Sequence, residues 1–434
     1  MTHEHHEERI VSVAELARVE GEGALRVQVR DGVVGDVVLD IFEPPRFFEA
    51  LLRGRRHDEA PDITARICGI CPVAYQMSAC AAMEAARGAE VPEPIWALRR
   101  LLYCGEWIQS HALHVTLLHA PDFLGCEDAV ELAERDRRSV ERALALKRTG
   151  NLVMETVGGR AVHPVNVRLG GFYRSPEPAV LAALVEPLRR ARDEALETVE
   201  WVAGFDFPDV ESDYLFVALR GTDGYPIERG RIVSSAGLDT DAEGFADAVV
   251  EEQVPHSTAL HARLLGTETY LTGPLARYAL NADLLPPLAV EAAHAAGLGM
   301  VCRNPFRSIV VRAVELVAAC DEALRLIGAY EPPSPPAVLV PAGPGTGAGA
   351  TEAPRGLLVH RYELASDGTI ATARIMPPTS QNQLAIEDDL RRVVGGGLDL
   401  PDDALTWRCE QAVRNHDPCI SCAAHFLTVT VERA

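Results

Sequence analysis

The stretches Arg66-Ile67-Cys68-Gly69-Ile70-Cys71-Pro72 and Asp417-Pro418-Cys419-Ile420-Ser421-Cys422-Ala423-Ala424-His425 decide how the rest of this chain is read. Each holds a Cys-x-x-Cys pair, and together they supply four thiolates, enough for a soft transition metal. The pairs lie near opposite ends of 434 residues, so only the fold could join them. The flanks are unusual too: an Arg with a buried look precedes one pair, and Asp-Pro and a trailing His bracket the other. Three plainer uses compete. A structural zinc site takes two such pairs, though ordinarily about 15–20 residues apart in a small ribbon. A thioredoxin-type motif would fit Cys68-Gly69-Ile70-Cys71-Pro72 locally, but it leaves the second pair unexplained and needs a βαβ setting. An iron–sulfur cluster calls for denser cysteine runs.

Composition narrows the class. Hydrophobic residues make up 47% of the chain, enough for a large core without external staples. The 41 basic and 63 acidic residues give a formal charge of −22, which argues against nucleic-acid binding and for a soluble acidic protein. Cys80, Cys104, Cys126, Cys302, Cys320 and Cys409 sit singly in apolar, mostly helical patterns, as buried thiols do in a reducing compartment. No apolar run reaches the roughly 18 residues of a membrane span, and no N-terminal signal pattern is seen. A cytoplasmic location is expected. Residues 1–8, with His3, His5 and His6, read as a flexible tail able to scavenge metal.

Periodicity supplies the elements. Residues 24–30 and 33–41 flank Asp31-Gly32 as a hairpin. Helices are predicted near 45–54 and 72–87, then as long amphipathic stretches near 93–119, 127–149, 176–203, 241–265 and 303–328. Leu101, Ile108, Leu113 and Leu117 share one helical stripe. Residues 331–350, rich in Pro and Gly, read as a loop. Their Gly343-Pro344-Gly345-Thr346-Gly347 lacks the Gly-Lys-Ser/Thr ending of a phosphate cradle. A second hairpin, 356–364 with 369–375, turns at Asp367-Gly368, and helices near 381–394 and 403–414 lead into the last cysteines. The expected fold is mostly α with small β elements near both cysteine-bearing ends.

Arg18-Val19-Glu20-Gly21, Arg46-Phe47-Phe48-Glu49, Arg66 to Cys71, Glu352-Ala353-Pro354-Arg355-Gly356 and Asp417 to His425 carry a resemblance. In order and spacing they resemble the large, catalytic subunit of nickel-iron hydrogenases, nearest to the soluble NAD(P)-linked and sulfhydrogenase types. Gly158-Gly159-Arg160-Ala161-Val162-His163-Pro164 and Leu169-Gly170-Gly171-Phe172 add lesser matches. The resemblance implies one large helical-bundle domain over 9–425 (α+β) and the reaction H2 ⇌ 2 H+ + 2 e−. It implies Cys68 and Cys419 as terminal nickel ligands, with Cys71 and Cys422 bridging to an iron that carries carbon monoxide and cyanide. Cleaving H2 leaves a proton that needs a base; by the resemblance Glu20 takes it from Cys419. Arg355 would overhang the metals and bond one cyanide, with Asp122 and Asp417 as acidic neighbours, and Thr379 would bond the other. Glu49, His425 and the Ile375 carbonyl would hold Mg2+, or Fe2+ or manganese, His425 sharing a helical face with Cys422. Taken singly, Glu20 reads as a solvent-facing strand residue, Arg355 as a surface turn and Glu49 as a solvated helix face.

Two positions depart from the family pattern. Tyr75 stands where many members have a His that bonds a cysteine sulfur, and Glu22 stands where they have His; Glu22 reads as surface strand or a second exit carboxylate. Residues 426–434 resemble a maturation peptide removed by an endopeptidase after nickel insertion factors act, and would keep the C-terminal segment from docking until then. Expected partners are an iron–sulfur small subunit and flavin/NAD(P)-reductase subunits, because the chain has neither a spare cysteine cluster nor a Rossmann fingerprint. Two rivals remain: a relative of the quinone-site subunit of respiratory complex I, which lacks the four cysteines, and a zinc-stabilised interaction protein.

Overall fold

In the computed structural model, residues 8–222 and 224–425 are described. Helices dominate, and the strands described form five small antiparallel sheets of two or three strands each. The core is a helical bundle in which Glu93–Ala112 packs between Arg137–Gly158 and Ser308–Gly328, and the last of these also packs on Val185–Ala203. Gly105 and Gly150 set the closest crossing. A Cβ on Gly150 would stand 2.6 Å from both the Gly105 carbonyl oxygen and the Gln109 nitrogen.

The helix from Glu93 does not end cleanly. Its last turns, Leu113–His119, widen into a π-helix. A wider turn shifts the phase of the buried face. Leu101 and Ile108 are buried as predicted, but Leu113 and Leu117 are only half-buried, while His114, Val115 and His119 point inward. That shift places two imidazoles against the C-terminal segment.

Several predicted boundaries move. The 127–149 stretch divides at Asp136, whose side chain caps Arg137–Gly158 by accepting from the Ser139 N–H. The 176–203 stretch divides into Pro178–Ala182 and Val185–Ala203. The 45–54 helix shrinks to Phe48–Leu52. The 241–265 stretch is helical only at Ala242–Ala248, then forms the hairpin Val249–Glu252 with His261–Leu264. Val249-Val250 and the Pro255 break favour that switch.

The 331–350 loop is corrected at its end: Gly345–Ala353 is a strand. Glycine recurs at 345, 347 and 349, always on the face toward helix Pro72–Arg87. A Cβ on Gly347 would lie 2.3 Å from the Ala86 nitrogen, and one on Gly349 2.5 Å from the Ala82 nitrogen. The strand therefore lies directly on the helix backbone. It pairs with Gly356–Leu364 through Ala353↔Gly356, so Pro354-Arg355 is a two-residue turn. Ile370–Met376 completes this sheet, as Glu8–Val13, Gly23–Arg30 and Val33–Ile41 make the N-terminal one. The start of helix Pro72–Arg87, the Pro354-Arg355 turn and the segment after Asp402–Arg414 meet at one buried point.

The Gly105–Gly150 crossing gives a direct test. Gly→Ala in a helix ordinarily stabilises by about 0.5–1 kcal/mol. Gly150→Ala should instead destabilise by about 1–3 kcal/mol, because the new methyl meets backbone that cannot swing away. Chemical denaturation of the purified variant measures the sign.

Candidate metal centre

Cys68 sits between the turn Ala65–Ile67 and the start of helix Pro72–Arg87, for which Cys71 is the N-terminal flanking residue and Pro72 the first. Its sulfur accepts the N–H groups of Ile70 and Cys71, each at 3.3 Å. Two more amides at this helix start, Val73 and Ala74, donate to the buried Glu106 carboxylate at 2.6 and 3.1 Å. Cys419 and Cys422 flank and occupy the turn Ile420–Ala423. The Cys419 N–H donates to Thr379 Oγ1 at 3.0 Å.

The fold brings the two pairs together. Cys68 Sγ lies 3.5 Å from Cys419 Sγ, Cys71 Sγ 3.9 Å from Cys422 Sγ, and Cys419 Sγ 2.7 Å from Cys422 Sγ. All four sulfurs are within 4.8 Å of one another and all four residues are buried. Hydrogen bonds from Cys419, Cys422 and Cys71 hold the Cys68 thiol well below its ordinary pKa, helped by Arg355. Burial pushes Cys419 and Cys422 up; neighbouring sulfurs add to this at Cys419, whereas at Cys422 the Cys419 and Cys71 sulfurs oppose it in part. One anion is accommodated and further ones are suppressed, so ionising the whole set calls for a cation among the sulfurs. Soft sulfur donors in a dry pocket fit nickel and iron.

The surrounding groups are specific. Glu20 pairs with Cys419 as a short parallel bridge: its carbonyl accepts the Ile420 N–H at 2.9 Å. Its Oε2 accepts from Cys419 Sγ and the Ser421 N–H, both at 3.1 Å. Gly21, at φ +91°, permits this approach; a Cβ there would lie 2.7 Å from Ile420 Cβ. Arg355 is not a surface turn but buried, donating from Nη2 to Asp417 Oδ1 and from Nε to the Asp417 carbonyl, both at 3.0 Å. Burial opposes its charge, but Asp417 and the sulfurs of Cys419, Cys71 and Cys68 outweigh that and keep it protonated.

Asp122 is the one expected neighbour of Arg355 that goes elsewhere. Its carboxylate takes Arg414 Nε and Nη2, both at 2.8 Å, and Arg18 Nη2 at 2.6 Å. Ser110 stands near Arg355 instead, with its Oγ 3.4 Å from Nη1. The signal was the polar set Glu106, Gln109, Ser110, His111 and His114, all buried, along the second half of this helix and its π-helical continuation. Other expectations shift in smaller ways. Arg66 is exposed and its Nη1 meets His163 Nδ1 at 2.8 Å. Glu22 is exposed. The Tyr75 hydroxyl is buried without a hydrogen-bond partner among the described residues.

A second cluster lies at the C-terminal side. Glu49 Oε1 accepts the Ile375 N–H at 2.7 Å, and Glu49 Oε2 is 3.0 Å from His425 Nε2. These residues, with Arg46 and Cys422, line a cavity of about 30 Å3. Glu251, which the sequence did not single out, adds its field there; burial raises its pKa, Arg374 lowers it, and Glu49 raises it further. His425 lies past the end of the Ile420–Ala423 turn, after the extended Ala424, and not on a shared helical face with Cys422. Residues 426–434 lie outside the described residues, as do 1–7 of the expected tail. The segment through His425 is docked: the His425 N–H donates to the Thr258 carbonyl at 2.9 Å.

Known proteins resemble this chain. The profile of the nickel-dependent hydrogenase family matches residues 46–144. The chain is 36% identical over 422 residues to sulfhydrogenase 1 subunit alpha of Pyrococcus furiosus, covering 96% of this chain and 98% of that one. The chain belongs to the nickel-dependent hydrogenase large-subunit family. Sulfhydrogenase 2 subunit alpha of the same organism is 30% identical, covering 96% and 99%. A crystal structure of an NAD+-reducing [NiFe]-hydrogenase in the H2-reduced state superposes at TM-score 0.85 with 26% identity, over 96% of this chain and 99% of that one. The Ni-Fe-Se hydrogenase of D. vulgaris Hildenborough shares the fold at TM-score 0.78 and 21% identity, over 96% and 100%. This hydrogenase large subunit is thus an oxidoreductase acting on H2, and its four-cysteine cluster fits a nickel-iron centre. No helix of the described residues is long and apolar enough to cross a membrane.

Asp122 and Ser110 differ in a measurable way. Asp122→Asn leaves two buried guanidiniums without their carboxylate and should cost the hydrogenase subunit about 3–5 kcal/mol. Ser110→Ala should cost about 1 kcal/mol or less. Denaturant midpoints of the two variants separate them.

Proposed function

We propose that Cys68, Cys71, Cys419 and Cys422 hold nickel and an iron bearing carbon monoxide and cyanide, and that Glu20 carries the proton away. The observation that carries this is the Cys419 Sγ–Glu20 Oε2 contact at 3.1 Å, on the edge of a buried four-sulfur cluster. When bound, the metal centre supplies H2 cleavage and takes the electrons. The chain's own residues do the rest. Cys419 Sγ holds the proton and passes it to Glu20 Oε2. Ser421 steadies that carboxylate through its N–H, and its hydroxyl donates to Glu43 Oε2 at 2.8 Å, the next acidic group outward.

Arg355 and Thr379 would bond the cyanide ligands. Arg355 is fixed by two bonds to Asp417. Thr379 Oγ1 already accepts the Cys419 N–H, so its own O–H remains to donate, as a cyanide nitrogen requires. Glu49, His425 and the Ile375 backbone, with Glu251 nearby, would hold Mg2+ or Fe2+ in the small polar cavity. Residues 426–434 would be a maturation peptide, and cleavage after His425 would leave a new carboxylate beside that cavity.

Electrons leave through an iron–sulfur small subunit, and flavin/NAD(P)-reductase subunits complete the assembly. This is supported by the alpha-subunit naming of both sulfhydrogenase relatives and by the likeness to an NAD+-reducing enzyme. Six buried thiols outside the cluster suit a reducing cytoplasm.

Glu20→Gln keeps the shape and the Ser421 contact but removes the titratable group. H2 oxidation and H/D exchange with solvent should fall at least about 100-fold, with nickel and iron content unchanged. Near-normal exchange in a fully metallated Glu20→Gln enzyme would move the proton route to other residues.

A further inference from the structure

His256, His261 and Glu387 form a cluster outside everything described above. One nitrogen of each imidazole and one Glu387 oxygen lie within 4.8 Å of one another. The three residues come from different elements. His256 lies in the loop after strand Val249–Glu252, His261 opens the return strand His261–Leu264, and Glu387 sits on helix Gln383–Gly395. The carboxylate is oriented from behind, because Glu387 Oε1 accepts the Leu39 N–H at 3.1 Å.

The side chains look unfinished as a hydrogen-bonded group. His261 is 4% exposed, and its Nε2 is buried with no hydrogen-bond partner among the described residues. His256 Nε2 is also buried and has no assigned hydrogen bond among the described residues; it stands at ion-pair distance, 3.4 Å, from Glu387 Oε1. Two imidazole nitrogens without hydrogen bonds beside a half-buried carboxylate are costly unless something joins them. A tetrahedral ion does. Bonds of about 2.1 Å put neighbouring ligand atoms about 3.4 Å apart, and two imidazoles on one such ion have ring centres about 5 Å apart. Here the ring centroids are 5.5 Å apart at an interplanar angle of 79°.

We propose that His256, His261 and Glu387 bind one divalent transition metal of the zinc class, with its fourth position open to water. Two imidazoles and a carboxylate suit Zn2+ better than they suit the hard cations. The ion would be structural. It fastens the 253–261 loop to helix Gln383–Gly395, and that loop is the seat of the C-terminal cysteine segment. The Thr258 carbonyl accepts the His425 N–H at 2.9 Å, Ala259 bridges Ala424, and the Thr258 N–H donates to the Ile41 carbonyl at 2.8 Å. The site therefore braces the closed form of the chain end that carries Cys419 and Cys422.

The test is zinc titration of the purified holoenzyme against a competing chelator, read by metal content and thermal midpoint. Wild type should take one Zn2+ equivalent beyond its nickel and iron, with a rise in midpoint. Glu387→Gln keeps an oxygen for the Leu39 N–H, and His256→Gln alters a half-exposed loop residue, so both should fold and retain nickel. Each should lose at least about 100-fold in zinc affinity and the zinc-dependent rise. Wild-type enzyme that takes no added zinc, or variants that bind it as tightly as wild type, would overturn the assignment.

Discussion

Four sulfur atoms from two distant chain segments share one dry pocket, and the rest of the molecule is arranged around that constraint. Each buried thiolate loses several kcal/mol of hydration. A single guanidinium, Arg355, cannot offset four. The pocket tolerates one anion, at Cys68, through amide donors from the start of helix Pro72–Arg87 and thiol donors from its neighbours. Every further ionisation awaits cations held by the sulfurs themselves. Burial here makes metal binding and closure of the chain end one event.

Closure is held by polar contacts as well as by the apolar packing of Ile420 and Ala423 on Ile41 and Ala259. The turn before Asp417 is fastened by His114 Nε2 at the Arg414 carbonyl, by His119 at the Asn415 side chain, and by Ser308 and Arg312 at the Asn415 carbonyl. Arg414 itself is clamped by Asp122. Buried polar locks of this kind specify one arrangement, because each unmade bond strands a desolvated group. That specificity is what an atom-scale metal site needs. The π-helical turn at Leu113–His119 is part of it, since it rotates His114 and His119 toward the segment they hold.

Much of this was legible in the residues. The dithiols announce themselves by type and spacing, Glu20 and Arg355 only through the family resemblance of the stretches around them, and the long helices by their stripes. What escaped the sequence depended on contacts between segments. The Gly345–Ala353 strand looked like a loop because glycine is a poor strand former. Its alternate glycines become intelligible only with the helix they touch. The pairing of Asp122 with Arg414 and Arg18 was not legible because a short motif cannot say which arginine a carboxylate meets. Ser110 was overlooked because a lone Ser in a helix carries no chemical signature. The two halves of 241–265 differ in state because Val249, Val250 and Pro255 override a helical pattern.

The central claim is that the sulfurs of Cys68, Cys71, Cys419 and Cys422 bind nickel and iron together. X-ray absorption at the nickel edge of the purified holoenzyme tests it most directly. The predicted spectrum has a shell of sulfur neighbours around nickel and an iron scatterer just beyond, both lost in Cys422→Ser. Nickel ringed only by nitrogen and oxygen, or zinc in its place, would contradict it.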